Sequence, residues 1–362
     1  MARRLRFSAP LACTLLFASV SAPTYASAQD AATPETSTGA AKQEKKAGSR
    51  KDHPLTPAQI HNPVLWEDPG NIASKDLFLG RGGADHQPRP PFTFVSEDHN
   101  GTNPKFDARD ANDKKWRVKL GSESRPEVVA SRLLWAVGYF TDEDYLLPTA
   151  SVANLQMKRG KELVHDDQVT DARFNRKPGG EKTIADWRWK GNPFTDKREF
   201  NGLRVMMAVM NNWDLKDVNN AVYSDDKHDR QIFLVSDIGA TFASNDEHVH
   251  HDTDKGNVES FEHSKFIIKK TDKDVSFGTP MLPAGLVLRQ GPILLGEAVR
   301  RQGLDWIGHD IPITDARWVG GLLGQLTHGQ LEDAFRAGNF PEDQREAFVK
   351  IVEARISELK TL

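Results

Sequence analysis

The chain has 362 residues, with 48 Lys and Arg against 51 Asp and Glu, a net charge of −3 at pH 7 and 38% hydrophobic residues. That length suits one large or two ordinary domains, and the near-balanced charge without a basic stripe argues against nucleic acid or an anionic membrane surface as the main partner. The single cysteine, Cys13, rules out a disulfide framework, so stability has to come from an apolar core.

Residues 1–28 read as an export signal. Arg3, Arg4 and Arg6 form a basic start, Leu11 to Val20 a short apolar run, and Ala26-Ser27-Ala28 a small-residue cleavage site before Gln29. The apolar run is too short to span a bilayer, so no transmembrane segment is expected after cleavage and the destination is periplasmic or secreted. Cleavage would leave 45 basic against 51 acidic residues. Residues 29–52 hold no Ile, Leu, Val, Met or aromatic side chain and are expected to be a disordered spacer. Residues 53–90 form an irregular lead-in containing Gly80-Arg81-Gly82-Gly83. Without a strand-to-helix frame, that cluster reads as a turn rather than a phosphate cradle.

Three strands follow, at Pro91 to Val95, Lys105 to Arg109 and Trp116 to Leu120, separated by turns at Asp98 to Asn103 and Ala111 to Lys114. Their spacing predicts an antiparallel meander. A helix is expected from Ser124 to Val137, with Val128, Leu133, Leu134 and Val137 at helical spacing and a Ser124–Glu127 capping box. Residues 155–195 are expected to hold a hairpin and loops. Leu203, Met206, Met207 and Met210 predict a helix from Glu199 to Met210 whose Met face is core. Ala221 to Tyr223 and Ile232 to Val235 read as a hairpin around a polar turn. The remainder reads as mostly helical, with a Thr327–Gln330 cap and a last helix from about Pro341 carrying Phe348, Ile351, Val352 and Ile356 on one face.

The chemistry concentrates after the Met helix. Residues 213–219 read Trp-Asp-Leu-Lys-Asp-Val-Asn, and Asp237-Ile238-Gly239 closes the second hairpin strand. A carboxylate, an ammonium and an amide at Asp214, Lys216 and Asn219, followed by a second carboxylate, supply what phosphoryl transfer asks of a protein: an orienting base and oxygen ligands for metal.

In this order of strands, helix and loop motif, residues from about Pro91 to Phe242 resemble the protein-kinase-like superfamily. Trp213 replaces the usual arginine, Ile238 the usual phenylalanine, and the strand turn has one glycine instead of three. These departures point to atypical branches, such as the phosphatidylinositol-kinase-like, HipA-like and secretory-pathway kinases. The resemblance implies an α+β, two-lobed fold: a small antiparallel-sheet N-lobe with one helix (91–147) and a mainly helical C-lobe (148–362). It implies ATP or another nucleotide with Mg²⁺ or Mn²⁺ as cofactors. Asp214 would orient the attacking hydroxyl and Lys216 would offset charge on the moving phosphoryl group. Asn219 and Asp237 would hold metal, Lys119 would meet the α and β phosphates, and Glu127 would fix Lys119. Asn100, Gly101 and Thr102 would cover the phosphates. The acceptor is not implied, and phosphoryl and nucleotidyl transfer both remain open, the more so for a protein exported to an ATP-poor space.

Two other readings stand beside this one. The first is a kinase-like module that binds a ligand or partner without catalysis. The second is a metal-dependent hydrolase built on His248, His250, His251, Asp252 and Asp254, although a crowd of imidazoles without a His-Glu-x-x-His helix reads more simply as a solvated loop. No Gly-x-Ser-x-Gly, Rossmann or Walker sequence is present.

Overall fold

The computed structural model describes residues 53–101, 103–177, 179, 181–212, 214–243, 255–278 and 303–362. The expected signal, spacer and His248–His251 cluster lie outside them, as do Thr102 and Trp213. After a short strand β1 (Pro63–Val64), the meander appears where alternation placed it, as β2 (Phe92–Asp98), β3 (Lys105–Arg109) and β4 (Lys115–Lys119). The register pairs Thr93 with Arg109 and Lys105 with Lys119. Helix α1 (Ser124–Ala136) follows, then β5 (Glu143–Ala153), β6 (Val164–His165) and β7 (Gln168–Arg176).

Here the structure corrects the expected architecture. β5 runs parallel to β2, pairing Phe92 with Val152. β7 is antiparallel to β5 and also pairs back onto β4, with Lys119 opposite Arg173. Strands β2, β3, β4, β7 and β5 therefore close into a five-strand barrel of mixed direction, not a small antiparallel sheet. The cause lies inside the ring. Phe92, Phe106, Trp116, Val118, Val152 and Phe174 are all buried there, with the Phe92 and Phe174 rings 4.7 Å apart. An open three-strand sheet would leave much of that apolar face wet, at roughly 1.5–3 kcal/mol per large side chain. Trp116 donates its indole N–H to Asp110 at 2.9 Å, so the large ring is buried without an orphan donor.

The rest of the described residues are not mainly helical either. β8 (Glu181–Ala185), β9 (Asn220–Asp225) and β10 (Arg230–Val235) join β1 in a second sheet, ordered β1-β10-β9-β8. β11 (Ile267–Lys270), β12 (Asp274–Phe277) and β13 (Ile311–Pro312) make a third. The described residues hold five further helices: α2 (Arg198–Val209), α3 (Val258–His263), α4 (Ile313–Leu323), α5 (His328–Ala337) and α6 (Glu342–Lys360). β11 to β13 run for only four, four and two residues, at or below the length at which period-2 alternation can mark a strand.

The helical signals mostly held. The Met face of α2 is buried in one core with Leu133 of α1, Val319 of α4 and Val352 of α6. Phe335 and Phe348 stack at 4.8 Å. The Thr327–Gln330 capping box forms, and Gln330 also ties α5 to the lead-in through the carbonyls of Ile72 and Lys75. Pro341 and the acids Glu342 and Asp343 start α6. The expected box at α1 does not form: Ser124 donates instead to the Lys119 carbonyl at 2.9 Å, and Glu127 turns to another partner. Buried Arg355 of α6 caps the end of α2, donating to the carbonyls of Ala208 and Val209 at 3.1 and 3.0 Å. No described helix is long and apolar enough to cross a membrane.

Candidate functional site

The site assembles where β4 ends, α1 begins and β10 ends. Lys119 is the last residue of β4 and only 4% exposed. Its ammonium donates to Glu123 at 2.7 Å, Glu127 at 2.9 Å and Asp237 at 2.8 Å. These are all three of its N–H donors. Glu123 stands at the N-cap of α1 and Glu127 in its first turn, where the helix dipole favours carboxylates. Glu127 is 1% exposed and uses its other oxygen on Arg173 of β7 at 2.7 Å. Arg173 also meets Asp144 of β5 at 3.2 Å. The barrel closure is thus what brings Arg173 opposite Lys119.

Asp237 comes from the other direction. Strands β9 and β10 pair Asn220 with Val235, so Asn219 and Ser236 lie side by side. Ser236 donates its N–H and its hydroxyl to the Asn219 carbonyl at 2.8 and 3.1 Å. The eighteen-position step from Asn219 to Asp237 is therefore the length of one hairpin. Asn219 donates its amide to the Asp214 carbonyl at 2.6 Å, which leaves its Oδ1 end for a ligand. The Asp214 N–H is held by Asn212 at 2.9 Å, and the Asp214 carboxylate lies 3.1 Å from the Lys216 ammonium. The glycine of Asp237-Ile238-Gly239 has a steric reason: a Cβ there would lie 2.6 Å from Glu123 Cβ and 3.0 Å from its carbonyl oxygen.

The electrostatics follow from burial and these pairings. Burial works against the Lys119 ammonium, but Asp237, Glu127 and Glu123 outweigh it and hold its pKa above the ordinary value. Burial likewise opposes ionisation of Glu123, but Lys119 and Lys255 hold its carboxyl well below the usual range. For Asp237 the burial effect is again beaten, mainly by Lys119, and its pKa is lowered. Burial dominates at Glu127 and pushes its carboxyl up to about 7, against the pull of Arg173 and Lys119. The carboxylates of Glu123, Glu127 and Asp237 converge within 4.8 Å of one another, and the cation they surround is Lys119. Asp237 is the accessible member, with its side chain 46% exposed. Together with Asn219 it offers the oxygen donors that a hard divalent cation prefers.

The structure therefore gathers Lys119, Glu127, Asp237, Asn219, Asp214 and Lys216 along one continuous set of contacts. The turn residues Asn100 and Gly101 are less tied to it. Asn100 bonds Asp98, and the Gly101 carbonyl accepts from Arg159 at 2.8 Å. A Cβ on Gly101 would sit 3.4 Å from the Lys105 ammonium, and Lys105 is the strand partner of Lys119. Among the described residues no hydrogen bond joins Asn100 or Gly101 to Lys119 or Asp237. Sequence reasoning missed Arg173, Lys255 and Lys105. Arg173 could be found only through the β4–β7 pairing. Lys255, which pairs with Glu123, is a lone lysine in sequence. Lys105 sits opposite Lys119 in the expected meander, so its place was available to register counting. Among the described residues His263 makes one hydrogen bond, donating from Nδ1 to the Glu259 carbonyl at 2.7 Å on an exposed helix end.

The chain matches no protein-family model and no curated protein. Among solved structures it is similar to a Helicobacter pylori proinflammatory kinase, CtkA. The match has 11% identity and a TM-score of 0.42, and it covers 74% of this chain and 95% of that one. A likeness of that size carries no argument about this chain's family or activity.

Proposed function

We propose that this chain is a kinase-like phosphotransferase that uses ATP or a related nucleotide with Mg²⁺ or Mn²⁺. The observation that carries the proposal is the grip on Lys119, held at once by Glu127 from α1 and by Asp237 from the end of β10. A buried ammonium set by two separate elements, next to an exposed carboxylate and an amide oxygen, is suited to receive phosphate oxygens. Asp237 and Asn219 would hold a divalent metal, which would supply charge to offset the phosphates.

Without nucleotide, Asp237 completes the charge balance around Lys119. Phosphate oxygens would take the place of Asp237 at the ammonium, and Asp237 would then be available to hold a metal. Glu127 and Glu123 keep the ammonium in place through that exchange. Asp214 accepts the hydrogen bond of an incoming hydroxyl and aims it, and Lys216, 3.1 Å away, meets the charge on the group being moved. The N-terminal Arg-rich and apolar run supports export as part of the proposal.

The test is turnover. The full chain is incubated with radiolabelled ATP and Mn²⁺ or Mg²⁺, and hydrolysis and self-labelling are followed beside Asp214→Asn. The proposal expects wild-type turnover and a loss of about 10²-fold or more in the variant, with nucleotide affinity kept within a few-fold. Nucleotide binding without turnover in the wild type would make the chain a binding module instead.

A further inference from the structure

Five residues beyond Glu127, on another face of α1, Arg132 lies against a cavity of about 410 Å³. Phe78, Tyr145 and Pro148 wall it, with Arg336 and Gln87 at its edge. Arg132 is 2% exposed. Among the described residues its guanidinium makes one hydrogen bond, to the Asp144 carbonyl at 2.6 Å, and no carboxylate lies within ion-pair distance. The Asp144 carboxylate itself is engaged by Arg173 at 3.2 Å and Asn175 at 2.9 Å. Arg132 Nε is buried with no partner. A Cβ on Gly80 would fall 2.3 Å from the guanidinium carbon. The Gly80-Arg81-Gly82-Gly83 turn is therefore packed over this arginine rather than framing a phosphate.

A guanidinium taken from water with its Nε–H unmet is costly unless an anion compensates it. Holding the Asp144 carbonyl accounts for one donor. It does not account for the open Nε or for the cavity beside it. The volume is in the range of small-molecule sites. The walls are aromatic and aliphatic, the Arg132 guanidinium lies 5.6 Å over the Tyr145 ring, and Arg336 lies 4.2 Å over Phe78. Arg336 already shares Asp333 at 2.7 Å, so the uncommitted charge at the cavity amounts to about one cation.

We propose that this cavity is a binding site for a small aryl carboxylate, with Arg132 receiving the carboxylate and Phe78 and Tyr145 flanking the ring. A single planar fork matches the two oxygens of a carboxylate. A phosphate dianion would leave one charge unmet, and it would also face the charges of Asp76, which acts on Arg132, and of Asp333, which pairs with Arg336.

The probe is 2-naphthoate, with uncharged 2-naphthamide as its counterpart, titrated by calorimetry into the full chain. The acid is expected to bind one-to-one, about tenfold or more tighter than the amide. Arg132→Met should bring the acid down to the amide's affinity and leave the amide unchanged. Saturating MgATP should leave the naphthoate isotherm in place. Equal binding of acid and amide, no binding of the acid at about 1 mM, competition by MgATP, or an unchanged preference in Arg132→Met would each overturn the proposal. If Arg132→Met does not fold, Arg132→Lys decides: retention of only part of the acid preference supports the site, and full retention sinks it. A merely structural arginine would lower the melting temperature without moving the acid-to-amide ratio.

Discussion

Gly239→Ala tests how tightly the two halves of the candidate site are packed. The added Cβ would stand 2.6 Å from Glu123 Cβ and 3.0 Å from the Glu123 carbonyl oxygen. Both atoms belong to the turn that joins β4 to α1, so no side-chain rotation relieves the clash. Either the Asp237 segment or the turn that carries Glu123 has to shift by several tenths of an ångström. Overpacking of this kind costs about 1–3 kcal/mol, and the upper half of that range is expected because the shift also disturbs the Lys119–Glu123 pair. Gly321→Ala is the matched control. Its Cβ would meet nothing within 4 Å, its position is exposed on α4, and alanine there should stabilise by about 0.4–1 kcal/mol. Urea denaturation of both variants, followed by tryptophan fluorescence, gives the two signs directly. A Gly239→Ala variant as stable as wild type would refute the close packing of Asp237-Ile238-Gly239 on the α1 turn, and with it the arrangement of Lys119.

Further outcomes follow from the same contacts. The lowered Glu123 carboxyl contributes stability that is present above its unfolded pKa of about 4.5 and is lost as pH falls through its lower folded value. Glu123→Gln should therefore be destabilised at pH 7, and its gap to wild type in urea melts should stay constant down to about pH 4.5 and narrow steadily below that. Glu127 has the opposite sign. Its pKa of about 7 means that its contribution is full below about 4.5 and is lost as pH rises to about 7, so the wild type minus Glu127→Gln difference should fall across that window. A difference that rises instead would show that the cations beat burial at Glu127. Thr327→Ala removes the α5 cap, where the Thr327 hydroxyl accepts from the Gln330 N–H at 3.2 Å, and should cost about 1 kcal/mol in a thermal melt. Phe174→Ala opens a hole in the barrel and should cost about 3–5 kcal/mol. A loss under about 1 kcal/mol in that variant would mean the ring is not closed around Phe174.

Local signals were legible where one short-range rule decides the outcome. Alternation located β2, β3 and β4, apolar spacing located α1 and α2, and the capping residues located α5 and α6. The barrel was not legible, because its closure depends on β5 and β7. β5 carries Glu143 and Asp144 among its apolar residues, and β7 carries Asp171 and Arg173. Those charged residues break the alternation locally: Glu143, Asp144 and Arg173 are buried in pairs with Arg176, with each other and with Glu127, while half-buried Asp171 pairs with Arg125. The candidate site was legible as a list of residues and not as a network. Asp214, Lys216, Asn219 and Asp237 share one loop and one hairpin, so spacing is enough to group them. Arg173 joins through a strand pairing more than fifty residues from Lys119, which no spacing rule encodes. The Ser124–Glu127 box failed for the same reason: the strand-end ammonium of Lys119 competes for Glu127 and offers the stronger, charged partner.

The central claim is that Lys119 and Asp237 form a nucleotide and metal site. It is tested most directly by the thermal shift of the chain with ATP, with and without Mg²⁺ or Mn²⁺, beside Asp237→Ala. The account predicts a metal-dependent rise in melting temperature, about 2.7 kcal/mol of stabilisation at a hundredfold excess over Kd, which disappears in Asp237→Ala while that variant stays folded. An equal shift in Asp237→Ala, or no shift with ATP, GTP or ADP under any metal, would contradict it.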